Sequence, residues 1–282
     1  MKLNTFYQIY YSHRIKKSSF FLKLYILIVL PFAYILNKIL LDSKVDLDDF
    51  SKRNSELYEE NLNFLFQFFN SDKGDKYKNQ YQKPIKFENK FITGHKYHKY
   101  YEKYFLEKKN ENLQILEIGT FKGNATAAFY FYFKNASITS VDIFPDLMRY
   151  KSKRIRNFFL NNSSEKELNE KILSKNTQYD IIIEDAGHYH KDQIITLFGL
   201  FKSLKKKGLF IIEELDFPDT RIDMNPEKKK PTLRDILFSI QNKKDFSSEF
   251  ITKDQKEYFL KNLNCIDVYR GEFNQIAFIQ KK

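Results

Sequence analysis

The chain has 282 residues, with 48 Lys and Arg against 36 Asp and Glu for a net charge of +12, and it is long enough to bury a core without disulfides or a structural metal. Only 8 of the 48 basic residues are Arg. Arg rather than Lys forks onto phosphate and guanine, so no nucleic-acid partner is expected. The single cysteine, Cys265, excludes an internal disulfide framework and a multi-cysteine zinc site, and an aromatic content of 17% excludes a disordered chain.

The charge is uneven. Residues 1–41 carry Lys2, Arg14, Lys16, Lys17, Lys23 and Lys38 and no acid, which is half of the net charge. Within them lies the apolar run LYILIVLPFAYIL at 24–36. A spanning helix needs about 20 mostly apolar residues, and the wider window 20–41 admits Lys23 and Lys38. No small-x-small cleavage site follows, as a secretory signal would require. Residues 1–42 are therefore expected to form a basic apolar segment that lies on a membrane surface, or packs on the protein or within a homo-oligomer.

Residues 42–55 read as a polar linker, 56–69 as a helix with apolar positions near a 3.6 period, 70–95 as loop, and 96–106 as an aromatic helix. Together 43–110 make a helical lid region. From residue 112 the rhythm changes. Apolar strands are expected at 113–119, 137–143, 155–160, 179–185 and 208–215, with helices at 122–134, from 164, and at 190–206. Thr232 and Asp235 form a capping-box start for a further helix, and another covers 253–262. Residues 265–280 read as two strands around Arg270 and Gly271, too close for a crossover and so antiparallel. The expected fold class is α/β: a Rossmann-like, seven-stranded, mostly parallel sheet over 111–282, ended by an antiparallel hairpin.

Two clusters carry the chemistry. The first is the turn Glu117-Ile-Gly119-Thr-Phe-Lys-Gly123 after the first strand. It is neither a G-x-G-x-x-G dinucleotide loop nor a P-loop, and its acid suits a cationic ligand better than a pyrophosphate. Asp142, ending the second strand, is placed to accept hydrogen bonds from ribose hydroxyls. The second cluster is Glu184-Asp185-Ala-Gly-His188 and Glu213-Glu214, ending two strands whose tips lie about 5 Å apart if they are neighbours. Carboxylates that close repel, and a hard divalent cation such as Mg²⁺ relieves the repulsion. A lone histidine among them suits a general base, its protonated form favoured by the acids.

The turn resembles that of class I S-adenosylmethionine-dependent methyltransferases. By that resemblance Glu117, Gly119 and Gly123 surround the methionine part of the donor, Asp142 holds the ribose, and Asn162 and Ser163 lie near the adenine. Over roughly 70–280 the chain is similar to the metal-dependent sugar O-methyltransferases of the macrocin and mycinamicin type. The motifs are Asp72-Lys-Gly74, His95-x-Tyr97, Tyr101-Glu102-x-x-Phe105, Asp185-x-x-His188, Gln193 and the acidic pair. That resemblance implies Asp185, Glu213 and Glu214 as Mg²⁺ ligands and His188 as the base, with a sugar, glycan or other small polyhydroxylated acceptor. Because the donor is cytoplasmic in most cells, a cytoplasmic enzyme is expected, peripheral to a membrane if residues 20–41 reach one. A non-catalytic binding protein on the same fold is the alternative. A hydroxylase is less favoured, since no 2-His-1-carboxylate iron pattern is visible.

Overall fold

The computed structural model describes residues 19–40, 44–78 and 90–282. Residues 1–18, with Lys2, Arg14, Lys16 and Lys17, and residues 41–43 and 79–89, for which the sequence also sets expectations, lie outside the described residues. The first element is the helix α1 (Phe20–Leu40). Phe20, Phe21, Tyr25, Ile28, Phe32 and Ile35 on it are exposed, Phe21 by 81%. Among the described residues no helix is long and apolar enough to cross a membrane.

The segment expected as a linker folds instead. A short strand β1 (Val45–Asp46) leads into α2 (Leu47–Arg53), because Asp46 caps it by accepting from the backbone of Asp48 and Asp49. The helix expected over 56–69 is broken into a 3₁₀ turn (Ser55–Tyr58) and α3 (Leu62–Phe68), since Asn61 caps a fresh start through Phe64 N. A two-stranded ribbon, β2 (Lys76–Lys78) and β3 (Phe91–Thr93), precedes α4 (His98–Phe105).

The chain then runs through β4 (Gln114–Ile118), α5 (Asn124–Tyr132), β5 (Ser137–Asp142), the short β6 (Tyr150–Lys151), which pairs with β1 outside the main sheet, β7 (Ile155–Phe159), α6 (Glu165–Lys171), β8 (Tyr179–Glu184), α7 (His190–Leu200) and β9 (Leu204–Ile212). After α8 (Phe217–Thr220), α9 (Leu233–Gln241) and α10 (Lys253–Asn262) come β10 (Leu263–Arg270) and β11 (Gln275–Lys281). Thr232 and Asp235 make the expected capping box. Strand β9 begins earlier than the sequence suggests and the preceding helix ends sooner. Leu204 pairs with Tyr179, and an irregularity takes up Lys205 to Gly208 before Leu209 pairs with Ile181.

The seven strands run in the order β10-β11-β9-β8-β4-β5-β7. All neighbours are parallel except those of β11, which is antiparallel to both β9 and β10. The expected sheet and its terminal hairpin are thus present. Both faces are covered, which is why the central strands read as unbroken apolar runs. Ile115, Ile183, Ile211 and Phe278 face one core, and Leu116, Ile118, Ile182 and Phe210 the other. Leu62, Phe66 and Tyr101, from the segment before β4, belong to the first core together with Phe129 of α5. Every residue of α5 is buried, since it is sandwiched between the sheet and that region. The chain leaves β4 for β5 and β7 on one side and returns to β8 and β9 on the other. Their carboxyl ends at this switch point are where an open α/β sheet takes its ligand.

Candidate active site

Hydrogen bonding continues one residue beyond the strand ends and aligns the site. Gly119 N donates to Val141 O at 2.8 Å, Asp185 N to Ile118 O at 2.8 Å, and Glu213 N to Glu184 O at 3.0 Å. Gly119, Asp185 and Glu213 therefore stand abreast on three neighbouring strands. Gly119 has φ +90°, and a Cβ there would fall 2.0 Å from the carbonyl oxygen of Asp185. Only glycine meets both demands. Gly123, at φ +78°, caps α5 and leaves no room for a Cβ beside Met148 Sδ. It shapes the turn without lining the cleft. Asp142 is held by two backbone donors, Phe121 N at 2.8 Å and Phe144 N at 2.7 Å. Glu117 is buried and accepts from the Thr126 hydroxyl at 2.5 Å, and burial pushes its carboxyl up to about 7.

The cleft over these strand ends has a volume of about 590 Å³. Gly119, Asp142, Ser163, Asp185, His188, Glu213 and Glu214 all line it, with Phe217, Arg221 and Met224. Glu117 lies instead on an adjoining recess with Ser71 and Lys73. Ser163 donates to Asp192 Oδ2 at 2.6 Å, which fixes its side chain on the rim.

His188 Nε2 sits 3.6 Å from Asp185 Oδ1 and 3.7 Å from Glu214 Oε2. Ligand atoms of Asp185, His188 and Glu214 lie within 4.8 Å of one another, close enough to share one ion. His188 has φ 54° and Glu214 φ 47°, a left-handed backbone that non-glycine residues adopt at a cost and that clusters at functional sites. Gln193 of α7 steadies the second turn, its Nε2 donating to the carbonyl of Glu214 at 3.1 Å. Burial holds the His188 imidazole down at about 4. Asp185 does favour the protonated form, as expected, but desolvation outweighs that attraction. Burial, followed by the charge of Asp185, pushes Glu213 up to about 8 and Glu214 well above the carboxylate range. A divalent cation beside them would oppose both shifts, as the Lys73 ammonium already does in part at Glu213.

Glu213 stands apart from this group. Its Oε2 accepts from the Lys73 ammonium at 2.7 Å, and its Oε1 accepts from the Tyr101 hydroxyl. Lys73 Nζ also donates to Asp185 Oδ2 at 2.5 Å. Burial opposes the charge on Lys73, but Asp185 and Glu213 offset it and hold the ammonium well above the usual lysine value. His95 Nδ1 lies 3.1 Å from Glu214 Oε1, and the Tyr97 hydroxyl is 3.4 Å from the same oxygen. Lys73 and His95 carry no site role from sequence alone, and Tyr97, Tyr100, Tyr101 and Tyr104 suit sugar stacking or a packed helix face equally well. Their signal was the short motifs around 72–74, 95–97 and 101–105, which give no hint of where those side chains arrive. Tyr100 and Tyr104 face the terminal hairpin instead, Tyr100 stacking on Tyr269 and Tyr104 bonding Asp267 Oδ2 at 2.6 Å.

No protein-family model matches the sequence. Mycinamicin VI 2''-O-methyltransferase of Micromonospora griseorubida is 24% identical over 209 residues, covering 69% of this chain and 50% of that protein. Demethylmacrocin O-methyltransferase of Streptomyces fradiae is 24% identical over 151 residues, covering 50% of this chain and 38% of that protein. The chain thus spans half the length of the first of these relatives and less of the second. The solved structure of MycE methyltransferase from the mycinamycin biosynthetic pathway, in complex with Mg, SAH and mycinamycin VI, superposes with a TM-score of 0.59 at 19% identity, over 79% of this chain and 54% of that one. The macrocin and mycinamicin resemblance read from the motifs is borne out, and the fold is that of these methyltransferases.

Proposed function

We propose that the protein is an S-adenosylmethionine-dependent O-methyltransferase, assisted by Mg²⁺, that methylates a hydroxyl of a sugar or other polyhydroxylated acceptor. The observation that carries this reading is the convergence of Asp185, His188 and Glu214 beside the Gly119 turn in one cleft. The names of the relatives, mycinamicin and demethylmacrocin O-methyltransferases, support the reaction class.

The residues fit a hard divalent ion. Two carboxylates offer oxygen ligands, and the buried Glu214 Oε2 has no hydrogen-bond partner among the described residues. Asp185 and Glu214 would hold the ion, which when bound supplies Lewis-acid polarisation of the acceptor hydroxyl. His188 Nε2, facing both acids, accepts the proton of that hydroxyl. The oxygen lone pair forms a bond to the donor methyl carbon as the carbon–sulfur bond breaks, leaving S-adenosylhomocysteine. Gly119 lets the donor approach the backbone, Asp142 accepts from its ribose, and Glu117 answers its cationic amino-acid end. Ser163 borders the adenine side of the cleft. Positioning supplies much of the acceleration.

Calorimetric titration of the full chain with S-adenosylmethionine, with and without Mg²⁺, tests the reading. Absence of donor binding overturns it. His188→Ala should abolish formation of S-adenosylhomocysteine with a sugar acceptor while keeping donor affinity, and a variant that stays active removes His188 as the base. A non-catalytic binding protein would show no turnover with any acceptor.

The same proposal places the enzyme in the cytoplasm as a homo-oligomer, with the basic apolar segment against anionic lipid. Exposed Phe20, Phe21, Ile28 and Phe32 on α1 support the lipid contact, together with the six basic residues of 1–41. Anionic vesicles should sediment the full chain, and a chain that stays in solution refutes the lipid contact.

A further inference from the structure

The turn 119–123 is held from two sides. On the cleft side Phe121 N donates to Asp142 Oδ2 at 2.8 Å. Phe121 lines the cleft and has φ 45°. A bulky residue in the left-handed region is strained, and such strain persists only where the surroundings over-determine the backbone. The second constraint comes from the outer side, where Arg149 N donates to Lys122 O at 3.0 Å. The neighbours of Arg149 fill the space beside Gly123, since a Cβ there would fall 2.0 Å from Met148 Sδ and 3.3 Å from Tyr150 Cδ2.

Residues 148–153 lie outside the main sheet, and the segment 45–48 pins them. Val45 N donates to Arg149 O at 2.9 Å, and β1 runs parallel to β6 with Val45 opposite Tyr150 and Asp46 opposite Lys151. Asp48 accepts from the Ser152 hydroxyl at 2.7 Å and the Tyr130 hydroxyl at 3.0 Å on Oδ1, and from Lys153 N at 2.8 Å on Oδ2. Tyr130 lies on α5, the helix that the turn opens. Leu47, buried in the first core, anchors the segment. One carboxylate thus ties together the two elements that flank the outer side of the turn.

We propose that Asp48 is a positioning residue for S-adenosylmethionine: it fastens residues 45–53 as a strap over 148–153, which in turn holds the turn 119–123 in its strained, binding form. This role rests on the reading of that turn as the S-adenosylmethionine site. Asp48 does not line the cleft, so it acts through Arg149 N and the packing on Gly123. When Ser152 and Lys153 N lose this acceptor, 148–153 loosens and the Phe121 backbone relaxes toward negative φ. Phe121 N then leaves Asp142, the carboxylate that faces the ribose. The ligand must re-form the strained turn as it binds, and the loss is read as weaker affinity.

Calorimetric titration of the full chain with S-adenosylmethionine tests this without turnover. Asp48→Ala should bind it at least about tenfold more weakly than wild type. Asp48→Asn keeps one acceptor oxygen and should recover part of the loss. Lys281→Met is the control for a purely structural role. Lys281 Nζ donates to Leu204 O at 2.6 Å and to Phe201 O at 3.3 Å, at the end of β9 remote from the cleft. That variant should unfold at lower urea concentration and yet keep its affinity within about threefold. A folded Asp48→Ala with wild-type affinity overturns the inference, as does an equal loss in Lys281→Met, which would make affinity a reporter of stability alone. If Asp48→Ala does not fold, Val45→Pro decides. It removes the N–H that bonds Arg149 O at an exposed first strand position, where proline is tolerated, and should weaken binding at least about threefold. Unchanged affinity there overturns the inference. A wild type that binds no S-adenosylmethionine sinks the methyltransferase reading and this inference together, an outcome distinct from a loss confined to the strap variants.

Discussion

Replacing Glu117 by Gln should stabilise the protein at pH 8 and leave it nearly unchanged near pH 4. Glu117 lies on β4, faces Thr126 of α5, and feels Lys73 from the loop before β2 and the charges of Asp185 and Asp142. Burial is the largest influence and lifts its carboxyl from 4.5 to about 7. A carboxyl raised on folding binds its proton more tightly in the native state. Its contribution is therefore fully present below the unfolded value and is lost as pH rises from about 4.5 to about 7. At 1.36 kcal/mol per pKa unit the loss is about 3 kcal/mol as an upper figure. Gln is neutral throughout and can accept the Thr126 hydroxyl, so it removes the slope. The chain has no Trp, so urea unfolding at pH 5, 6, 7 and 8 is followed by circular dichroism. Wild type should lose stability across the series relative to Glu117→Gln, and the variant should be the more stable by roughly 2–3 kcal/mol at pH 8. Parallel curves for the two proteins would refute the argument, since Glu117 would then be ionised in both states or solvated. The same variant should bind S-adenosylmethionine more weakly, because the acid facing the donor's cationic end is gone.

Gly119→Ala should lower donor affinity at least tenfold, at a conformational cost of about 1–2 kcal/mol, because its Cβ meets the Asp185 carbonyl. Calorimetry checks it, and wild-type affinity would mean that the turn can shift. Tyr101→Phe leaves one buried oxygen of Glu213 without its donor and should cost about 1–3 kcal/mol in chemical denaturation, whereas a loss under about 0.5 kcal/mol would show that water replaces the hydroxyl. Asp142→Asn should weaken donor binding while leaving Mn²⁺ binding intact, as titrations with each ligand would reveal, and a coupled loss of both would argue that the turn itself had collapsed.

Much of the fold was legible in the sequence, because buried parallel strands need apolar side chains on both faces. The runs at β4 and β8 announce themselves, and so do the acids and glycines at their ends, since the pattern breaks where the strand leaves the core. The closeness of Arg270 and Gly271 to two flanking strands dictated an antiparallel finish. Legibility failed where local signals compete. The lysines at 205–207 extend a helical pattern on paper, yet Leu204 pairs with Tyr179 and draws them into β9. The polar stretch before residue 55 looked like linker because a single capping aspartate, Asp46, starts its helix.

Sequence by itself determined which strand ends carry Gly119, Asp142, Asp185, Glu213 and Glu214, since each lies one or two steps beyond the last apolar residue of its strand, a local pattern. Only the tertiary structure decided how those acids divide their work. Lys73 reaches Asp185 across 112 positions and Glu213 across 140, and Tyr101 reaches Glu213 across 112. No spacing rule acts over such separations. Burial likewise sets the ionisation of His188 and Glu117, and the amount of water excluded from a side chain is a property of the packed molecule, not of its neighbours in the chain.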